Sequence, residues 1–318
     1  MKKNKRIAII SSKKFANKIK EDLLFRDMLL SCGEQADIVA WEDKNIVWKD
    51  YKCAILRSAW GYHKQVDEFL SFLQNLKKFN IKFFNDVNVI AWNINKEHQF
   101  NDLKKLGINV LPCYVFKEFS NSTETEILQF LSSQKTSDFV FKPIISGSGD
   151  NTFFVSLDNG NHLKNQLSLK EAQDKFKSMI YSKEIKGCLV QPYLPDIVNG
   201  EYSFIFIDSQ LTHAAIRYPG VFLDKKESIE VDISSLPSKM VKFAYECEDA
   251  LKIISTRFSK QSSPLYARYD VVDSKSNYFL MEAELAEPDL LIKTITSDEK
   301  KKAIIKRMVD SLLIRSRQ

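Results

Sequence analysis

The sequence predicts an α/β domain at the N-terminal end and α+β regions after it. Residues 1–94 alternate strand-like and helix-like segments, which is typical of a parallel sheet covered by helices on both faces. Near the other end, residues 265–285 form two runs rich in Tyr, Val, Phe and Leu around a polar turn, the pattern of an antiparallel hairpin. A chain of 318 residues is also long enough for two or three domains.

The composition is that of an ordinary globular protein. Hydrophobic residues make up 44% and charged residues 28% of the chain, which excludes disordered and fibrous classes. The net charge of +6 is spread without blocks of like charge, so it suits anionic small molecules at least as well as nucleic acid. Five scattered cysteines lack metal-ligand spacing and are expected to be reduced. Because the sequence shows neither a membrane-length apolar run nor a signal peptide, we expect the protein in the cytoplasm.

The first predicted domain covers residues 1–94. We expect its strands at 6–10, 36–41, 53–56 and 81–84, with helices at 18–31 and 66–79. The segment after the first strand reads SSKKFAN and contains no glycine, so the dinucleotide-binding fingerprint is absent.

Two further regions follow, at 95–186 and 187–318. The first should contain a helix over 96–106 that ends at Gly107, strands near 110–116 and 139–142, and a helix over 124–134 capped by Ser122 or Thr123. The second should contain strands at 188–192, 202–207 and 211–217, a helix near 238–254, the hairpin, and a helix from 297.

The hairpin carries charged side chains at alternate positions. With its turn near Lys275 and Ser276, the pairing places Arg268 opposite Glu284 and Asp270 opposite Glu282, all on one face. Three carboxylates on one face repel each other unless a positive charge lies among them, so we predict a divalent cation; a solvated sheet face is the alternative. The other face should carry Tyr269, Val271, Phe279, Met281, Ala283 and Leu285.

Two other segments suggest a nucleotide site. The predicted strand ending near Pro143 delivers Lys142, and the loop after it contains Gly147 and Gly149, whose backbone N–H groups can surround phosphate oxygens. Residues 188–195 form a strand that ends in a proline-flanked connector, which leaves main-chain groups free to bind a purine edge. Either loop could be purely structural, and neither contains a P-loop motif.

The order and spacing of these motifs resemble the ATP-grasp superfamily, in particular its glutathione synthetase ATP-binding-domain-like members, from 95 to about 292. The resemblance implies a Rossmann-like pre-ATP-grasp domain over 1–94, a central subdomain with the lid loop over 95–186, and a C-terminal subdomain with the metal-binding hairpin over 187–318. It also implies that ATP and Mg²⁺ are the cofactors, with Mn²⁺ as an alternative ion. The implied nucleotide contacts are Lys96 and Lys142 at the phosphates, Ser146, Gly147, Ser148 and Gly149 in the lid, Gln191, Tyr193 and Leu194 at adenine, and Glu201 at ribose.

The same resemblance assigns the charged hairpin. Arg268 would meet the transferred phosphate, and Asp270, Glu282 and Glu284 would hold the metal. Most ATP-grasp ligases read Glu-x-Asn where this chain reads Glu-Ala-Glu, so the third ligand is charged here. A carboxylate still suits Mg²⁺, and the extra charge could favour a second ion or indicate a specialised branch.

A narrower resemblance is to the family of the ATP-grasp enzyme that closes the cycloserine ring from O-ureidoserine. It runs from about 38 to 292, and its most specific N-terminal part is Arg57-Ser-Ala-Trp-Gly-Tyr62. Two positions depart from the family: Gly61 replaces the usual Asp, and the segment after Arg217 reads YPGVFLD in place of Gly-Asp-Phe-Arg. Because both lie where substrate would be recognised, ring closure stays an alternative while ATP use is unaffected.

Substrate contacts are expected beyond the third strand of the first domain. Open α/β sheets bind ligands at the carboxyl ends of their strands, which places Arg57, Trp60 and Tyr62 in a candidate acceptor pocket. The alternative is a strand end packed on the next helix, with Arg57 paired to a surface acid. Arg217 and Glu287 are further substrate candidates.

Together these features predict an ATP-dependent carboxylate–amine or carboxylate–nitrogen ligase with Lys142 and Arg268 as catalytic residues. It would form an acyl phosphate on a small amino-acid-like or peptide substrate and release ADP and phosphate. An intramolecular cyclase and a non-catalytic ATP-binding protein are the alternatives. No nucleic-acid or membrane partner is expected, and the sequence leaves a homodimer open.

Overall fold

The computed structural model describes residues 5–79, 81–158, 165–218, 228–261 and 263–317. These residues form three sheets with helices packed around them. The sequence-predicted α/β and α+β character is confirmed.

The first sheet is parallel throughout, in the order β2-β1-β3-β4. Its strands are mostly buried, as expected when helices cover both faces of a parallel sheet. The C-terminal helix α8 supplies part of this cover through Ile305 and Val309. The elements are β1 (Arg6–Ser11), β2 (Ala36–Ala40), β3 (Tyr51–Leu56) and β4 (Lys82–Phe84), with α1 (Lys20–Ser31), α2 (Val66–Leu76), α3 (Val87–Asn93) and α8 (Asp298–Arg317).

The second sheet has the order β5-β9-β6-β7-β8 and is antiparallel except for its last pair. Phe139 and Phe141 point from its central strand into a core shared with Phe176. Its elements are α4 (Lys96–Lys105), β5 (Tyr114–Phe116), α5 (Asn121–Ser132), β6 (Asp138–Pro143), β7 (Phe153–Ser156), β8 (Gln166–Leu167), α6 (Leu169–Tyr181) and β9 (Cys188–Pro192). The division of the chain at 94 and 186 stays a prediction; β9, which follows 186, pairs inside this sheet.

Two features of this region differ from expectation. Helix α5 is capped by Ser120, whose Oγ accepts from the Thr123 amide, so the predicted cap at Ser122 or Thr123 is wrong. The reason is a capping box in which Thr123 returns a hydrogen bond to the Ser120 amide. Helix α6 was not predicted, although Ser168 and Glu171 form the Ser-x-x-Glu capping box that marks its start.

The third sheet is antiparallel, in the order β12-β11-β10-β13-β14. Helix α7 packs on the face that carries Tyr269 and Val271. None of the described helices is long and apolar enough to cross a membrane. The elements are β10 (Glu201–Ile207), β11 (Gln210–Arg217), β12 (Ser228–Val231), α7 (Ser238–Phe258), β13 (Tyr266–Ser274) and β14 (Asn277–Glu284).

The hairpin β13–β14 confirms the predicted charged pairs, Arg268 opposite Glu284 and Asp270 opposite Glu282. A register shift follows, since Val271 pairs with Leu280 and one residue, Met281, is left as a bulge. Because a bulge reverses the alternation beyond it, the prediction that Phe279 and Met281 lie on the back face is wrong. Tyr278 and Leu280 pack with the back-face core there, while Met281 packs near Val272 and lines the cavity described below.

Candidate active site

A cavity of about 890 Å³ opens between the three sheets. Its wall combines the loop after β3, the start of α4, the loop after β6, the end of β9 and the charged face of the hairpin. Arg57 and Asp270 are not among the described residues that line the cavity. Most of the sequence-predicted site residues do line it: Trp60, Tyr62, Lys96, Lys142, Ser146, Gly147, Ser148, Gly149, Gln191, Tyr193, Leu194, Glu201, Arg217, Arg268, Glu282, Glu284 and Glu287.

The three predicted metal ligands lie close together. One carboxylate oxygen from each of Asp270, Glu282 and Glu284 lies within 4.8 Å of the other two. One oxygen of Glu282 accepts from Lys96 at 2.9 Å, and one oxygen of Glu284 accepts from Arg268 at 2.5 Å. The second oxygen of each glutamate has no partner among the described residues. Such oxygen donors suit Mg²⁺ or Mn²⁺.

The carboxyl groups of the two glutamates respond differently to this environment. Burial raises the pKa of Glu284 to about 7, although Arg268 opposes the shift. Burial also acts on Glu282, but the nearby Lys96 and Lys142 hold its pKa below the usual value. A divalent cation at the cluster would favour the charged form of both groups.

Asp270 is 1% exposed and lies between two arginines. Its Oδ1 accepts from Ser203 at 2.6 Å, while its Oδ2 accepts from Arg268 at 2.9 Å and from Arg217 at 2.6 Å. Arg217 also donates to Glu201 at 2.8 Å. The buried Asp270 carboxylate therefore orients both guanidinium groups, and both of its oxygens accept hydrogen bonds. Glu282 and Glu284 each keep one oxygen that has no partner among the described residues and can bind a metal ion. The link between Arg217, Glu201 and Asp270 was not visible in the sequence.

Two lysines bring positive charge close to Glu282. Lys96 begins α4 behind an Asn95 cap, and its Nζ donates to the Ser146 carbonyl at 3.1 Å. Lys142 projects from β6 and forms no ion pair within the described part of the chain. Burial, followed by the neighbouring Lys96, lowers the pKa of Lys142 to about 8. Two adjacent ammonium groups that repel each other make a favourable place for an anion.

The loop after β6 closes against the first domain through a residue that the sequence analysis missed, His63. Its Nε2 lies 3.2 Å from the Asp150 carboxylate. A Cβ atom at Gly147 would lie 3.0 Å from Nδ1 of the same ring, so glycine permits the close approach. No sequence pattern marks His63, which merely follows the Arg57–Tyr62 motif.

The connector after β9 also lines the cavity. Gln191 is 3% exposed, and its Oε1 is buried without a hydrogen-bond partner among the described residues. The Tyr193 ring packs edge-on against Phe154 with ring centroids 4.7 Å apart, and Leu194 packs in the same small cluster. An unpaired acceptor between apolar side chains suits a flat heterocycle with an amino group.

The Arg57–Tyr62 motif divides between two environments. Arg57 is 5% exposed and pairs with Asp22 at 3.5 Å, which is a structural ion pair as in the alternative for this motif, but with a buried acid in place of a surface one. Trp60 donates from Nε1 to the Glu287 carbonyl at 2.9 Å and lines the cavity. Tyr62 lines it too, with its ring stacked on Phe69. Of the departing segment after Arg217, residues 219–224 lie outside the described residues.

The chain is similar to several known proteins. Residues 7–85 match the family described as D-cycloserine synthetase DcsG, N-terminal domain. The crystal structure of D-cycloserine synthetase DcsG superposes with a TM-score of 0.80 at 19% identity, covering 98% of this chain and 99% of that chain. D-alanine–D-alanine ligase from Bacillus anthracis gives a TM-score of 0.63 at 17% identity, covering 98% and 97%. ATP-grasp ligase PsnB complexed with minimal precursor, Mg and ADP gives 0.58 at 12%, covering 98% of each chain.

No curated protein sequence matches the chain. The structural likenesses extend over nearly the whole molecule and confirm the resemblance inferred from the motifs. The chain thus has the ATP-grasp fold, and its N-terminal region matches the D-cycloserine synthetase family.

Proposed function

We propose that this protein is an ATP-dependent carboxylate–nitrogen ligase that works through an acyl phosphate and releases ADP and phosphate. One observation carries the proposal: Lys96, Lys142 and Arg268 line a single large cavity together with Glu282 and Glu284 of the carboxylate cluster. Structures of similar fold include a D-alanine–D-alanine ligase and an ATP-grasp ligase complexed with Mg and ADP.

The nucleotide would lie along the wall formed by the second sheet. Lys96 and Lys142 would neutralise its phosphates, and the lid residues Ser146, Gly147, Ser148 and Gly149 would cover them. Gln191, Tyr193 and Leu194 would hold adenine, and Glu201 would bind ribose. The unpaired Gln191 oxygen supports the adenine assignment because it can accept from an exocyclic amino group.

Glu282 and Glu284, supported by Asp270, would hold Mg²⁺, with Mn²⁺ as an alternative. When bound, the ion supplies positive charge to the phosphate oxygens. Arg268 pairs with Asp270 and Glu284 and would bind the transferred phosphate. Lys142 and Arg268 would thus be catalytic by stabilising negative charge as the phosphoryl group moves.

The chemistry needs activation of a carboxylate, because an oxide ion is too poor a leaving group. A substrate carboxylate would attack the γ-phosphorus of ATP, and ADP would leave. A nitrogen nucleophile would then add to the acyl carbon, and phosphate would depart as the C–N bond is completed. The protein aligns the reactants and excludes water from the labile acyl phosphate.

The acceptor pocket would lie at the end of the cavity lined by Trp60, Tyr62, Arg217 and Glu287. Arg57 was placed there by the sequence analysis, and we now assign it outside the pocket because its guanidinium is paired with Asp22 behind the wall. The substrate would be a small amino-acid-like compound or a peptide.

Hydroxylamine trapping tests the proposal. The protein is incubated with Mg-ATP, hydroxylamine and a panel of amino acids and dipeptides, and hydroxamate, ADP and phosphate are measured together. We expect hydroxamate to form in step with ADP and phosphate. Release of AMP and pyrophosphate would contradict the mechanism. Nucleotide binding without turnover on the whole panel would instead favour a non-catalytic ATP-binding protein.

Intramolecular ring closure is a second candidate, favoured by the match of residues 7–85 and by the TM-score of 0.80. O-ureidoserine would be supplied with Mg-ATP and no added amine, and the product would be identified by mass. Formation of cycloserine in step with ADP would establish the cyclase, whereas inertness of O-ureidoserine would leave the intermolecular ligase.

We further propose that the enzyme acts in the cytoplasm on small substrates. Its five free cysteines, three of them buried, support a reducing compartment. The three-part division of the chain and a homodimer remain predictions.

A further inference from the structure

The segment that follows the hairpin, residues 285–290, is held along its whole length by side chains. Each of its main-chain carbonyls accepts a hydrogen bond, and three of the donors come from the first domain. The donors are Asn85 to Leu285 at 2.8 Å, Tyr266 to Ala286 at 3.0 Å, Trp60 to Glu287 at 2.9 Å, Arg57 to Pro288 at 3.5 Å, Arg268 to Asp289 at 3.0 Å and His213 to Leu290 at 2.6 Å.

These bonds determine where the Glu287 side chain points. Its carbonyl is held by Trp60 from the wall of the cavity, and Glu287 is itself one of the residues that line the cavity. A side chain on a segment restrained at every residue has little freedom to move away. Such preorganisation is typical of groups that bind a ligand.

The Glu287 carboxylate has no hydrogen bond or ion pair in the described part of the chain. The described cations that act on it electrostatically, Lys96 and Arg268, are both paired with other carboxylates. A half-buried carboxylate without a partner is unfavourable, and here burial, followed by Glu284 and Glu282, raises its pKa to about 8. The engaged pairs are Lys96 with Glu282, Arg268 with Asp270 and Glu284, Arg217 with Glu201 and Asp270, and Lys293 with Asp289.

A metal ion does not account for Glu287. The described carboxylates that come close enough to share one ion are Asp270, Glu282 and Glu284, and Glu287 lies outside that group. The missing partner is therefore a cation brought by the substrate. The aromatic rings of Trp60 and Tyr62 line the same cavity, and aromatic rings also favour a neighbouring cation.

We propose that Glu287 binds the protonated amine of the substrate, so that the enzyme selects compounds carrying a free ammonium group. The inference rests on the proposed ligase function and narrows its substrate class. An ammonium group offers three donors and a full charge to a carboxylate prepared to receive it. Trp60 and Arg57 act as positioning residues, because they hold the backbone on either side of the Glu287 carboxylate.

The test compares the wild type with Glu287→Gln, and with Glu184→Gln as an exposed control. Probes are the proteinogenic amino acids, D-alanine, D-serine and simple dipeptides, each beside its N-acetyl counterpart, in the hydroxylamine assay. We expect at least one free amine to support ADP formation and its N-acetyl form to be inactive. Glu287→Gln should raise the KM of that compound about tenfold or more, equivalent to about 1.4 kcal/mol, with the Kd of Mg-ATP unchanged.

A second variant keeps the proposal testable if Glu287→Gln fails to fold. Trp60→Phe keeps an aromatic side chain, with a smaller ring, and removes the Nε1 donor to the Glu287 carbonyl. We expect a smaller rise in the KM of the same compound, with the Kd of Mg-ATP and kcat nearly unchanged. Equal KM values in wild type and both variants would overturn the proposal.

Other outcomes are equally decisive. Equal use of N-acetyl compounds, with ADP still formed, would overturn the ammonium site and leave the ligase function intact. If no carboxylate supports ADP formation, both the ammonium site and the proposed ligase function are contradicted. A fall in the number of Mn²⁺ ions bound with a non-hydrolysable ATP analogue in Glu287→Gln would make Glu287 a metal ligand and also overturn the proposal.

Discussion

Lys142 shows at the residue scale how a fold prepares a charge for a ligand. Its ammonium group is held in the cavity by β6, next to Lys96 and without an ion pair among the described residues. Mutual repulsion and desolvation make the site unfavourable until an anion enters it. The affinity for Mg-ATP should therefore depend strongly on this one side chain.

We predict that Lys142→Ala weakens Mg-ATP binding at least tenfold, since water cannot replace a fixed positive charge at equal cost. Calorimetric titration of the two proteins measures the difference. Lys239→Ala, at an exposed position on α7, should bind like the wild type. A folded Lys142→Ala protein with wild-type affinity would contradict the phosphate assignment.

His213 makes the free energy of unfolding depend on pH. The ring is 0% exposed, its Nε2 donates to the Leu290 carbonyl, and burial lowers its pKa from 6.5 to about 4. Between these values the unfolded chain takes up a proton that the folded chain does not, so the free energy of unfolding decreases as the pH falls.

Relative to His213→Gln, the wild type should lose about 2 kcal/mol of unfolding free energy between pH 7 and pH 5. Urea unfolding of both proteins at the two pH values measures this difference. The same change in both proteins would show that another group controls the acid sensitivity.

At the scale of elements, the hairpin β13–β14 combines two functions. Its back face packs on α7, while its front face gathers Arg268 and the three carboxylates. The bulge at Met281 matters because it adjusts the register between the turn and the charged pairs. Metal binding should then depend on the front face without affecting the core behind it.

Glu282→Gln should abolish ATP turnover and weaken Mn²⁺ binding without lowering the melting temperature. Glutamine keeps the size of the side chain and removes a charge that the cation requires. Phosphate release, Mn²⁺ titration and thermal unfolding provide the three measurements. Phosphate release close to that of the wild type would indicate a solvated sheet face in place of a metal site.

The lid loop is a second element whose role can be tested. Because a Cβ at Gly147 would lie 3.0 Å from the His63 ring, Gly147→Ala should hinder closure and weaken ATP binding several-fold. Removing the ring should relieve the clash, so Gly147→Ala combined with His63→Ala should bind ATP better than additivity predicts. If the effects of the two substitutions on the Kd of ATP simply add, Gly147 and His63 do not interact during ATP binding.

At the scale of the whole molecule, side chains of the first domain hold the rest of the protein in place. Asn85, Trp60 and Arg57 donate to the segment after the hairpin, and α8 returns to pack on the first sheet. The nucleotide wall and the proposed acceptor pocket therefore keep a defined separation, which reaction between bound groups requires.

Arg57→Ala should lower the free energy of unfolding by about 3 kcal/mol, because it leaves Asp22 charged or protonated in a buried site without its partner. Denaturant unfolding measures the loss, and the double variant with Asp22→Ala should recover part of it. A fully stable Arg57→Ala protein whose defect is confined to the KM of the carboxylate would return Arg57 to the acceptor pocket.

The sequence by itself determined the features that depend on short-range periodicity. The sequence predicted the alternation of strands and helices in the first domain and the placement of Lys142 before a glycine loop. It also predicted the Arg268–Glu284 and Asp270–Glu282 pairs of the hairpin. Each of these features depends on residues that are close together in the sequence. Short elements such as β7 and β8 were not predicted, since so few residues show no clear period.

Only the tertiary structure decided which distant residues meet. Arg57 pairs with Asp22, His63 reaches Asp150, and Arg217 joins Asp270, all through contacts between separate elements. Glu287 was already a substrate candidate in the sequence, but only the structure shows that its carboxylate lacks a hydrogen bond or ion pair among the described residues. Local propensity carries no information about such pairs, because their energies arise when burial removes water and brings charges from remote parts of the chain together.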